Sequence, residues 1–382
     1  MADKFIVTPW EVKGEIDYSK LIKEFGVEYL NDALITRIEK LVGEAHFMIK
    51  RKIFFAHRDL PWLLNEYEKG NKFFLYTGRG PSGPMHIGHL IPFTLTKWLQ
   101  DKFDAEVWVQ FTDDEKFLFK EELDLEKTNS FALDNALDII AIGFNPKKTH
   151  FLINSFPEHA GIQYKTAIQI AKKITLSTVK AAFGFTDSYN IGQIFFTAMQ
   201  ATPAILPSVL AKKNIPCLIP LAIDQDPHFR VARDVYPKLG FYKPALIHAK
   251  FLTGLLAGGK MSASVPHSTI YTTDTPEVVE EKIKKHAFSG GRGNLEEHRK
   301  LGGIPEIDVC YQWLETFFES DDKRLQEIYN NYKTGKLLTS ELKAYTIKKI
   351  NSFLKKHQKN RALAKKKLNR FLFKPNKLYK SI

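Results

Sequence analysis

Apolar and polar positions follow two regimes along this chain. Between residues 71 and 265, short and nearly continuous apolar runs recur at 73–77, 107–111, 150–153, 217–223 and 245–248. Runs without polar alternation predict strands covered on both faces. Between them apolar residues fall at spacings of three and four, predicting helices over 87–103 and 131–142, where Leu133, Leu137 and Ile140 share a face. Strands interleaved with helices predict a parallel sheet, whose ligands bind beyond the carboxyl ends of its strands. Pro220 speaks against the fourth run, since proline lacks a ladder N–H. After about Pro266 the strands stop, and residues 276–372 read as mostly helical, with breaks at 289–293, 302–303 and 335. Before Gly70 lie a short apolar stretch, Phe5-Ile6-Val7, and helical patterns at 18–25 and 29–41.

Composition narrows this picture. The chain has 382 residues, enough for two or three domains, and 29 phenylalanines among its core material. Disordered and collagenous classes are excluded. The two cysteines, Cys217 and Cys310, fit a reducing cytosol and exclude a four-cysteine zinc site. No apolar run is long enough to span a bilayer, and the first residues lack the apolar segment of a signal peptide, so a cytoplasmic protein without membrane contact is expected. The net charge is +13, and its location matters more than its size. From Lys343 onward there are 14 Lys or Arg and no Asp or Glu, which leaves the rest nearly neutral. Such a segment is either a solvated helix face or a polyanion-binding surface.

The first strand runs into Gly78-Arg79-Gly80-Pro81-Ser82-Gly83. This matches the G-x-G-x-x-G dinucleotide fingerprint, although Pro81 and Pro84 disturb the required helix start and the next strand ends in Gln110-Phe111-Thr112 rather than an acid. The plainer reading is a turn needing close packing or positive φ. Next stand His86 and His89, three apart at the first turn of a helix, with Gly88 leaving room for a ligand. Helix N-termini attract phosphate, and imidazole N–H groups add donors. A metal pair is the rival, but no further His or Cys sits nearby to complete it; two ordinary histidines are the plain alternative. Downstream, Gly258-Gly259-Lys260-Met261-Ser262-Ala263-Ser264 is a small-residue loop whose lysine can reach a phosphate. Alone it reads as a surface loop.

Together these motifs resemble the two signature sequences of class I aminoacyl-tRNA synthetases. The histidine signature is complete; the lysine loop departs from its commonest form, because Ala263 stands where a second lysine often occurs. Within that class the chain is similar to the tryptophanyl-tRNA synthetases of eukaryotic and archaeal type, from about Phe5 to the end. The carriers are Tyr76-Thr77-Gly78-Arg79-Gly80-Pro81, Gln110 to Lys116, Ala222-Ile223-Asp224-Gln225-Asp226-Pro227 and Ala287 to Arg292, with Thr8-Pro9-Trp10 similar to a segment that caps the active site in eukaryotic members.

The resemblance implies an α/β protein: a Rossmann-like doubly wound parallel sheet as catalytic domain (71–265), an N-terminal appendage packed on it (1–70), a mostly α-helical anticodon-binding domain (266–363) and a C-terminal segment (364–382) that returns to the catalytic domain. It implies tryptophan activation with Mg2+-bound ATP, transfer to tRNA(Trp), and a homodimer. His86, His89 and Lys260 are the expected catalytic residues. The expected ATP contacts are Gly78, Arg79, Gly80, His86, Gly88, His89, Lys116, Lys260, Met261 and Ser262. Tyr76 and Gln110 are expected to take the indole N–H, which only donates. Glu115, Gln200 and Gln225 match positions that hold the α-ammonium. The plain alternatives are a capping box for Thr112-x-x-Glu115 and surface amides for the two glutamines. Arg292 and Lys343 fall where family members contact the anticodon, and Gly293 departs from an acidic residue found there in some members. No resident metal is expected. Tyrosyl-tRNA synthetase is the nearest rival, disfavoured because Gln110 stands where a phenol would be offered a carboxylate; an NAD-dependent oxidoreductase would leave the histidines and Lys260 without a task, and a catalytically dead descendant would not need both signatures.

Overall fold

The computed structural model describes residues 6–7, 9, 12–14, 17–256, 260–261 and 266–375. Seven strands form one sheet: β1 (Glu28–Tyr29), β2 (Phe54–Arg58), β3 (Phe74–Arg79), β4 (Val107–Phe111), β5 (Thr149–Ile153), β6 (Cys217–Ala222) and β7 (Ala245–Ala249). Their spatial order is β1-β2-β7-β6-β3-β4-β5. The five strands foreseen from the apolar runs are all present and all mutually parallel; β1 and β2 extend the sheet antiparallel. Counted along the parallel set, the order is third, second, first, fourth, fifth, so the strand order reverses between β3 and β6, where ligands bind in doubly wound sheets.

Alternate residues supply the two faces. Leu75, Val107, Val109, Phe111, Phe151 and Ile153 join one apolar cluster, while Phe74, Tyr76, Trp108, Leu152, Cys217 and Ile219 join another. Both faces are covered, which is why the runs carry no polar alternation. Truncating one of the leucine, isoleucine, phenylalanine or tryptophan side chains among them to alanine removes about 2–5 kcal/mol.

Pro220 is compatible with its central strand for a local reason. β6 pairs with β3 only at Cys217 and Leu218, so the strands have parted before Pro220 and no ladder bond is lost on that side. Thr77 Oγ1 donates to the Pro220 carbonyl at 3.1 Å across the gap. The proline thus sits where the sheet opens into a crevice.

β2 was not foreseen: residues 47–58 mix apolar with His57 and Arg58, and the strand lies toward the sheet edge rather than in its middle. The helix expected over 29–41 spans Asp32–Val42, capped by Asn31, and Tyr29 belongs to β1. The C-terminal region is helical, with helices at Pro276–His286, Leu295–Leu301, Asp322–Lys333 and Thr339–Ala364. Gly302, at φ +70°, lies against the Lys333 carbonyl, where a Cβ would collide.

The long helix α1 (Thr339–Ala364) docks on the helix Leu125–Ala141 beside the sheet. His357 Nε2 lies 2.9 Å and Arg361 Nε 3.1 Å from the buried Asp138 carboxylate, and Arg361 also pairs with Asp134. Beyond α1 the chain adds to the sheet edge: Phe151 N–H donates to the Phe371 carbonyl at 2.7 Å, and Phe373 N–H to the Phe151 carbonyl at 3.0 Å.

Candidate active site

The carboxyl ends of β3 and β6 open into a cavity of about 660 Å³. Tyr76, Gly78, Arg79, Gly80, His86, Gly88, His89, Glu115, Lys116, Gln200, Gln225, Lys260 and Met261 line it, so residues far apart in sequence converge on one hollow. Gln110 stands directly behind Tyr76, fully buried. Ser262 lies outside the described residues, as do Thr8, Trp10, Gly258, Gly259, Ala263 and Ser264. Arg292 and Lys343 are elsewhere, on the helical region: Arg292 Nε donates to the Gly302 carbonyl at 2.9 Å, and Lys343 Nζ to the Lys284 carbonyl at 3.2 Å.

One end of the cavity is a neutral hydrogen-bond network. Tyr76 hydroxyl lies 2.6 Å from Gln110 Oε1 and 3.1 Å from the Gln200 carbonyl, and accepts from Gln200 Nε2 at 3.3 Å. Gln110 Nε2 donates to Asn154 Oδ1 at 3.1 Å and to the Met199 carbonyl at 3.2 Å. Phe229 meets the Tyr76 ring edge-on at 5.7 Å. Burial pushes the Tyr76 phenol well above its usual range, so it stays protonated.

At the other end, nitrogen donors crowd together. The His86 and His89 rings stack at 3.4 Å. His86 backbone N–H donates to His89 Nδ1 at 3.1 Å, which fixes the proton of neutral His89 on Nε2. Burial, with the positive charge of Arg79 and Lys260, pushes His86 down to about 3, and burial pushes His89 well below its usual value. Both rings are therefore neutral N–H donors at physiological pH. A side chain at residue 88 would meet the His86 ring at 3.2 Å, so the glycine first makes room for the imidazole. Arg79 Nε donates to Asn135 Oδ1 at 2.8 Å, and burial lowers its guanidinium to about 10. Lys260 Nζ sits 3.2 Å from Asp224 Oδ2 and 5.3 Å over the Phe251 ring.

Between the two ends, Lys116 Nζ pairs with Glu115 Oε1 at 2.6 Å, and Thr112 Oγ1 donates to Glu115 Oε2 at 2.6 Å. Burial raises the Glu115 carboxyl, but Lys116 outweighs it and holds the group below its usual value. The Thr112–Glu115 contact is not a capping box: the Glu115 N–H goes to Asp114 Oδ1, not to Thr112. A Cβ at residue 80 would meet the end of the Lys116 side chain, so Lys116 lies directly over that glycine. None of Gly78, Gly80, Gly83 and Gly88 has positive φ, and the helix begins only after a 3-10 turn at Ile87–His89, so the dinucleotide geometry is not formed. Gln225 Nε2 donates to the Pro9 carbonyl at 3.4 Å, bringing the N-terminal segment to the rim. Sequence reasoning missed Asp224, Phe229, Phe119 and Lys250 as cavity residues. Asp224 alone had a local signal, its place beside Gln225.

The class I tRNA synthetase (W and Y) model matches residues 68–355. A tryptophan–tRNA ligase from Saccharolobus solfataricus is 52% identical over 374 residues, spanning 98% of this chain and 96% of that protein. The chain belongs to the tryptophanyl-tRNA synthetase family. Among solved synthetases, that of Plasmodium falciparum superimposes with a TM-score of 0.85 at 44% identity, covering 91% of this chain and 94% of the other. The one from Encephalitozoon cuniculi bound to tryptophan gives 0.83 at 37% identity, covering 94% and 100%. Among the described residues no helix is long and apolar enough to cross a membrane.

Proposed function

We propose that this protein activates L-tryptophan with Mg2+-bound ATP and transfers it to the 3′ end of tRNA(Trp). The observation that carries the reading is the division of one cavity into a buried, neutral end lined by Tyr76 and Gln200, with Gln110 bonded behind Tyr76, and a cationic end at Arg79, Lys116 and Lys260. The first end suits an indole and the second suits triphosphate. A tyrosine substrate would find no carboxylate for its phenol at Gln110.

In the first step a tryptophan carboxylate oxygen bonds to the α-phosphorus and the bond to pyrophosphate breaks. Charge moves onto the departing phosphates, and little covalent work falls to the protein. The neutral His86 and His89 donate N–H bonds, while Lys260 leaves Asp224 for the phosphates. Met261 and Ser262, next in sequence, are the remaining ATP contacts of this reading. Gly78, Gly80 and Gly88 keep the backbone low enough for the nucleotide. Glu115 and Lys116 exchange each other for the α-ammonium and a phosphate, so neither charge is left alone in the buried site. Gln200 and Gln225 offer further carbonyl acceptors to the ammonium. In the second step the terminal ribose 2′-hydroxyl attacks the acyl carbon and AMP leaves. Nitrogen donors dominate the phosphate end, which suits the triphosphate of a Mg2+-bound ATP substrate.

The division into an N-terminal appendage (1–70), catalytic domain (71–265), anticodon-binding domain (266–363) and returning segment (364–382) belongs to this reading, with Arg292 and Lys343 as tRNA contacts. So do cytoplasmic location and a homodimer. Pyrophosphate exchange with each of the twenty amino acids tests the function: exchange with tryptophan alone is expected, and exchange with tyrosine or with none overturns it.

A further inference from the structure

An amide can recognise an indole N–H only if its oxygen, and not its nitrogen, faces the pocket. In Gln110 that choice is made from behind. Both amide hydrogens are engaged, one by the Met199 carbonyl at 3.2 Å and one by Asn154 Oδ1 at 3.1 Å, and Oε1 is left to face Tyr76. Asn154 could itself turn either way. It is held by Asp114, whose Oδ1 accepts from Asn154 Nδ2 at 2.8 Å and from the Glu115 N–H at 2.9 Å. The polarity therefore runs in one direction, from an oxygen that takes two N–H bonds, through Asn154 and Gln110, to the Tyr76 hydroxyl.

We propose that Asn154, oriented by Asp114, is the positioning residue that presents the Gln110 oxygen to the substrate, and so sets discrimination for a side chain bearing an N–H donor. Asn154 stands at the carboxyl end of β5, beside the end of β4 that carries Gln110, and is buried. Met199 contributes only backbone, so Asn154 is the one side chain of the pair holding the amide nitrogen. Burial, together with the neighbouring Asp113 carboxylate, raises Asp114 to about 7. The polarity survives protonation, because an oxygen already accepting two N–H bonds stays the carbonyl of the acid form.

This inference rests on tryptophan being the substrate, and its test separates the two. The probe is β-(3-benzothienyl)alanine, in which sulfur replaces the indole N–H. Pyrophosphate exchange gives kcat/KM for tryptophan and for the analogue. In Asn154→Leu the preference for tryptophan is expected to fall about tenfold or more, the worth of one buried hydrogen bond, with the KM for ATP unchanged. Asn154→Asp is expected to restore it: an acid at 154 still accepts from Gln110, and the Asp114 pair shares one proton. Should Asn154→Leu not fold, Asn154→Ala reads the same ratio. An unaltered preference in the leucine or alanine variant, or equal losses for ATP and both amino acids, overturns this inference alone. A wild-type protein that does not activate tryptophan overturns both.

Discussion

At the proposed amino-acid end of the cavity, Tyr76, Gln110, Gln200 and Asn154 are buried, neutral and bonded to one another. At the proposed phosphate end, Lys116 and Lys260 are paired with Glu115 and Asp224. The first end is organised for selection, since its polar groups lose partners if the wrong side chain enters. In the proposed reaction the second is organised for charge transfer, since there each cation would change partner as phosphate charge develops. Selection is thus built into fixed geometry, and catalysis into pairs that can be exchanged.

Substitutions at the two ends should separate these properties. Lys260→Ala is expected to cause the largest effect, a loss of about 10²–10³-fold in kcat for pyrophosphate exchange with little change in tryptophan binding; an unchanged kcat removes Lys260 from the mechanism. Gln110→Ala is expected to raise the KM for tryptophan about ten- to a hundredfold while that for ATP moves far less. Equal changes in both would count against the indole assignment. The smallest effect is expected from pH. With His86 pushed down to about 3 and His89 also lowered, kcat should show no imidazole titration between pH 6 and 8. Stability behaves differently. Buried neutral imidazoles, including His46 and His228 at about 4, bind protons in the unfolded chain at pH values where the folded protein does not. The thermal midpoint should therefore fall as pH is lowered from about 6.5 toward 4.

Legibility in the sequence followed local completeness. β3 to β7 could be read because each holds a nearly continuous apolar run covered on both faces, whereas in β2 the short run Phe54-Phe55-Ala56 is bracketed by Lys50, Arg51 and Lys52 on one side and His57 and Arg58 on the other, so its pattern is mixed. The histidine signature and Gln110 were legible because motif and strand coincide. Phe229 and Phe119 were not, because an aromatic residue on a helix looks the same whether it lines a cavity or a core. Asn154 was equally silent: only the fold brings its amide to Gln110, 44 residues away in sequence.

The pairing of Phe371 and Phe373 with Phe151 also bears on biosynthesis. β5 ends the parallel set, and an uncovered strand there would offer its free amides and carbonyls to any neighbouring polypeptide. The segment that seals it is translated more than 200 residues later. The outward N–H and carbonyl of Phe151 therefore gain these partners only once the C-terminal residues have been made.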